Sequence, residues 1–176
     1  SEVLDLAEEH GVRMVVALGA YPASTPHTRD VTLSAIGTTP ALVSKVGFLD
    51  GKIDTPAGVQ AAIERACADR SIPSVGLWAP VPHYAADESF PPAAYALLDG
   101  LARIADRRFD LDPLITESVA VLERLDATVR HDDERARIVG HHDAHADTVA
   151  SAQPTIVPTG EELARRFEEL LEEGES

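Results

Sequence analysis

Residues 71–86 read SIPSVGLWAPVPHYAA, and the fold turns on how this stretch is read. It opens on a polar turn, Ser71-Ile72-Pro73, and continues into Val75-Gly76-Leu77-Trp78-Ala79, an apolar run of strand length. A run without polar alternation fits a strand covered on both faces, as strands of a parallel sheet are. The prolines at 80 and 82 have no amide to donate, so the strand is predicted to stop there. In α/β proteins, sites lie beyond the C-terminal ends of such strands. Trp78, the chain's only tryptophan, and the pair His83-Tyr84 therefore fall where a site is expected.

Upstream the pattern alternates. Val3, Leu4, Leu6 and Ala7 form the apolar face of a helix that Gly11 is placed to end. Residues 13–19 then read as a buried strand, 20–29 as a loop, and 31–36 as a second strand. Thr39-Pro40 and Thr55-Pro56 are helix-start signals. The first predicts a short helix closed by Gly47. The second predicts one through Val59, Ala62, Ile63, Ala66 and Cys67, three and four residues apart. Helix-strand alternation indicates an α/β fold. Downstream the chain turns helical: Pro91-Pro92 starts a helix through Ile104, and Pro113 starts another with Ile115, Val119, Leu122, Leu125 and Val129 on one face. Residues 130–147 are rich in charge and histidine, 151–158 read as a linker, and Thr159-Gly160-Glu161-Glu162 is a capping box for a last amphipathic helix. The expected architecture is a three-layer α/β/α core with a mainly parallel sheet over 1–105, then a helical region over 106–176. Three strands are few for a two-faced sheet, so further strands are expected before Ser1.

Composition narrows the function. A formal net charge of −15 over 176 residues lacks the basic footprint of a nucleic-acid binder and argues against adsorption to an anionic membrane. No apolar run reaches membrane-spanning length, and no signal-peptide pattern opens the sequence. A single cysteine, Cys67, cannot form an internal disulfide, which fits a cytoplasmic location. It falls on the apolar side of its helix and reads as an inert core thiol.

Two motifs carry a family resemblance. Val15-Val16-Ala17-Leu18-Gly19-Ala20 followed by Pro26-His27-Thr28-Arg29 resembles TLGALLADVPHTR, and residues 76–86 resemble LWAAVPHYVA, both from bacterial members of the proteasome assembly chaperone family. Pro92, Ala93, Leu97 and Leu98 match that family's P-x-A-x-x-A-L-L helix. The resemblance implies a phosphorylase- or hydrolase-like α/β/α core, an N-terminal half that this chain lacks, and a non-enzymatic role as an assembly or interaction factor whose partners are proteasome subunits or another protein. Similar folds imply a homo-oligomer, a trimer.

His27 and His83 follow strands expected to be neighbours and parallel, so both are predicted to face one crevice with Thr25, Thr28, Arg29, Trp78 and Tyr84. Two histidines and an arginine could hold a small anionic ligand or serve acid–base chemistry. The alternative function is thus a hydrolase or phosphorylase-like enzyme acting on a small anionic or nucleoside-like ligand at the His27/His83 edge, with Ser24 or Thr25 as nucleophile if a histidine reaches it. Equally, both histidines could satisfy backbone groups in proline-stiffened loops. His141, His142, Asp143, His145 and Asp147 have metal-ligand character, with His141 and His145 one helical turn apart, but their charged surroundings read as a solvated surface segment. No metal or cofactor is expected.

Overall fold

In the computed structural model, which describes residues 2–38, 43 and 58–151 (backbone alone from 147 on), the run at 75–79 belongs to the central strand of a three-stranded sheet. The elements are α1 (Glu2–Glu9), β1 (Val15–Ala23), β2 (Ser34–Gly37), α2 (Val59–Asp69), β3 (Ser74–Pro82), a 3-10 turn (His83–Ala85), α3 (Pro91–Ala105), α4 (Asp112–Arg130) and α5 (Asp133–Ser151). The helix expected after Thr39-Pro40, the start signal at Thr55-Pro56 and the capping box at Thr159 lie outside the described residues. Gly11, with φ of +62°, ends α1 as expected, the Val12 amide returning to the Ala7 carbonyl at 2.8 Å.

The sheet order is β1-β3-β2, with β1 parallel and β2 antiparallel to β3. The antiparallel pair departs from the mainly parallel sheet expected. The cause is the connection: β1 ends at Ala23 and β2 begins at Ser34, with no helix between. A chain that passes across β3 and re-enters the sheet from the end at which β1 left it runs antiparallel to both.

β3 also runs through both prolines, beyond the end expected for it. The Ser74 amide donates to Thr38 Oγ1 at 3.0 Å, and the Val15 amide donates to the Pro73 carbonyl at 2.9 Å. Even-numbered amides of β3 therefore face β2, and odd-numbered positions face β1. β2 pairs no further along than Trp78, opposite Ser34, so the nitrogens of Pro80 and Pro82 point at an edge with no partner strand among the described residues. On the β1 side, pairing continues to Ala23 opposite Pro82. A proline is tolerated where its missing donor faces an open edge.

β3 is covered on both faces. Val75, Leu77, Ala79 and Val81 pack with Leu33 and Ala35, and with Phe90, Ala93, Leu97, Ile104 and Val121 of the α3–α4 side. On the other face, Gly19 lies under the Trp78 ring and the Gln60 amide, and Gly76 under the Glu64 carboxylate, both from α2 in the latter cases. Cys67 is free and buried on α2. The result is a mixed α/β chain with a small sheet and five helices among the described residues.

Two expectations for the helical region change. On α4 the buried position is Val121, whereas Ile115 and Val119 are exposed, at 46% and 52%. Residues 133–151 are a helix that packs on α4 and not merely a solvated segment, and His142 within it is buried. No described helix is long and apolar enough to cross a membrane.

Candidate functional site at the C-terminal edge of the sheet

Because β1 and β3 are parallel, the loops after Ala23 and after Pro82 emerge on one edge. Tyr84 stands between them. Its ring centroid is 5.8 Å from that of His27 and 5.5 Å from that of His83, both edge-to-face, so the two histidines cannot be further apart than those distances combined. The short 3-10 turn after Pro82 aims Tyr84 back toward the β1 loop.

His27 is 4% exposed and fully engaged. Its backbone amide donates to the Tyr84 hydroxyl at 3.0 Å, its Nδ1 lies 2.7 Å from the same oxygen, and its Nε2 lies 3.1 Å from Asp126 Oδ1. The network assigns the tautomer: Nε2–H donates to Asp126, and the Tyr84 O–H donates to Nδ1. Burial raises the Tyr84 pKa, partly offset by the His27 amide, so the phenol keeps the proton this arrangement needs. His27 is thus a post locking two loops to α4.

The neighbouring loop residues meet α5. Thr28 Oγ1 donates to Asp143 Oδ1 at 2.6 Å, and Arg29 Nε donates to the same oxygen at 3.2 Å. The adjacent His142 is packed among rings: His83 at 5.3 Å, His141 at 6.3 Å, and Tyr84 at 6.5 Å and nearly parallel. His142 reaches the backbone of Thr25, and its Nδ1 is buried without a hydrogen-bond partner. Among the described residues, no group of three or more histidines, cysteines and carboxylates has metal-binding geometry.

Of the sequence-predicted set, Thr25, His27, Thr28, Arg29, His83 and Tyr84 gather at this edge. Trp78 does not share it. Its ring covers Gly19 at mid-strand, about 13 Å along β3 from Pro82 at the usual rise per residue. A groove of about 640 Å³ opens beside the edge, with His27 and Arg29 in its wall together with apolar Val31, Leu33, Tyr95, Ile115, Val119 and Leu122. His83 and Tyr84 do not line it. Sequence reasoning missed Asp126, although it follows Leu122 by one helical turn and so borders the apolar stripe of α4. It also set aside His142 and Asp143, whose roles depend on α5 crossing the sheet edge.

A model of the PAC2 family matches residues 1–129. No curated protein matches the chain. Among solved structures, a PAC2 family protein from Streptomyces avermitilis is similar at 36% identity and a TM-score of 0.68, over 78% of this chain and 58% of that one. A proteasome-assembly chaperone homologue from Mycobacterium tuberculosis is similar at 33% identity and a TM-score of 0.69, over 78% and 58%. A second M. tuberculosis protein, of unknown function, is similar at 31% identity and a TM-score of 0.79, over 86% and 51%. The chain spans little more than half the length of each.

Proposed function

The chain belongs to the PAC2 family, and on that premise we propose that it is a non-enzymatic, assembly-chaperone-like interaction factor whose partners include proteasome subunits. The observation that carries this reading is the state of His27. Both ring nitrogens are occupied by Tyr84 and Asp126, so the buried histidine of the edge holds loops together and is not poised as a base beside a nucleophile. The contact of His142 with Thr25 is to the backbone, not to the hydroxyl that an enzyme would use. The similarity to a proteasome-assembly chaperone homologue supports the partner class.

In the same reading the chain is cytoplasmic and its copies form a homo-oligomer, a trimer. Its core over 1–105 is an α/β/α arrangement, supported by helices against both faces of β3, with a helical region from 106 on. Thr25, Thr28, Arg29 and His83 are the ligand-binding candidates of this edge, and Trp78, with its ring over Gly19, is a core residue.

The test is to mix the purified protein with proteasome α and β subunits and follow complex formation by native mass spectrometry, while screening nucleosides, N-ribosides and small esters for turnover. Association that survives His83→Ala, with no turnover, is the expected result. Turnover abolished by His83→Ala, without association, would replace the chaperone reading by the hydrolase or phosphorylase-like one.

A further inference from the structure

His142 is 7% exposed, on a helix whose other histidines, His141 and His145, are exposed. Its Nδ1 is buried without a hydrogen-bond partner, and the ring lies against the backbone of Thr25. A neutral ring suits this site, because Nδ1 then carries only a bare lone pair. A protonated ring does not, because Nδ1 would carry a buried donor with no acceptor. We propose that α5 is a pH-sensitive strap, docked across the C-terminal edge of the sheet while His142 is neutral and released when His142 takes up a proton.

Every element around the ring bears on this. From the β3 side come His83 and Tyr84, from the β1 loop Thr25, Thr28 and Arg29, and from α5 itself His141, Asp143 and His145. His27 and Asp126 of α4 lie across Tyr84. The nearest carboxylate in sequence, Asp143, uses Oδ1 on Thr28 and Arg29. Burial first, then the neighbouring His83, push the His142 pKa below its ordinary value of 6.5, while the Thr25 backbone pulls the other way. The sign follows. The undocked ring holds its proton more tightly than the docked one, so docking is strongest above about pH 6.5 and weakens as pH falls through that value toward the docked pKa. Release also withdraws Asp143 from Thr28 and Arg29, uncovering a more cationic edge on a strongly acidic protein.

Hydrogen exchange of the full chain, corrected for intrinsic exchange rates, tests the strap. Protection of the amides from 139 to 143 is expected to fall by about tenfold between pH 7.5 and 5.5, with that of β3 unchanged. His142→Phe removes the titration, and His142→Gln does so while keeping a polar side chain. In both, the fall is expected to vanish. Protection that is flat with pH in the wild type, or that falls equally in either variant, overturns the proposal. Should neither variant fold, the wild-type imidazole signals decide by NMR: a His142 pKa below that of exposed His10 supports the strap, and one at or above it overturns it.

Discussion

Replacing Tyr84 by phenylalanine keeps the ring and removes one oxygen, and that oxygen closes two bonds. It accepts the His27 amide at 3.0 Å and donates to His27 Nδ1 at 2.7 Å. His27 is 4% exposed, so water cannot replace the lost partner without opening the loop. A buried polar group left unpaired costs about 1–3 kcal/mol. Two such groups, with the hydroxyl itself only half-buried, bring the expected cost of Tyr84→Phe to about 2–4 kcal/mol. For a chain of this size, that is a fall of roughly 5–15 °C in Tm. Urea denaturation followed by circular dichroism measures it, as a lower midpoint at unchanged m-value. Asp126→Asn is the matched control. Asp126 is bonded to the same ring but its side chain is 55% exposed, so its loss is expected to cost under about 1 kcal/mol. A Tyr84→Phe variant within about 0.5 kcal/mol of wild type, or an Asp126→Asn variant equally destabilised, would refute the account of His27 as a post held chiefly by Tyr84.

Two further predictions concern backbone positions. A Cβ at Gly19 would sit 2.8 Å from the Trp78 ring, which cannot fold away, whereas one at Gly76 would meet the mobile end of Glu64. Gly19→Ala is therefore expected to cost about 1–3 kcal/mol and Gly76→Ala under about 1 kcal/mol, a ranking read directly from chemical denaturation midpoints. Asp106 ends α3 with φ of +50°, its neighbour Arg107 donating to Ala102 at 3.0 Å; Asp106→Gly is expected to raise stability by about 0.5–1 kcal/mol, checked by calorimetry.

Much of this protein was legible from local chemistry. The apolar run at 75–79 reads as a strand buried on both faces because each residue there must find cover, and Val75 and Leu77 find it on one side while Gly76 lies beneath Glu64 on the other. Gly11 and the prolines at 91, 92 and 113 mark helix ends through their own backbone constraints, which need no tertiary partner. The gathering of the P-H-T-R and V-P-H-Y loops at one edge follows from two parallel strands.

Tertiary structure decided the rest. Whether Pro80 and Pro82 end β3 depends on which neighbour their nitrogens face, and no single strand carries that information. The direction of β2 depends on the chain re-entering the sheet from the end at which β1 leaves it. His142 and Asp143 look like solvated residues in a charged stretch, and they acquire their contacts only where α5 crosses the loops after β1 and β3. His27 likewise could be a ligand, a base or a post by its sequence alone. A residue 57 positions away and another 99 positions away, Tyr84 and Asp126, occupy its two nitrogens. Such pairings come from the packing of distant elements, which local propensity does not encode.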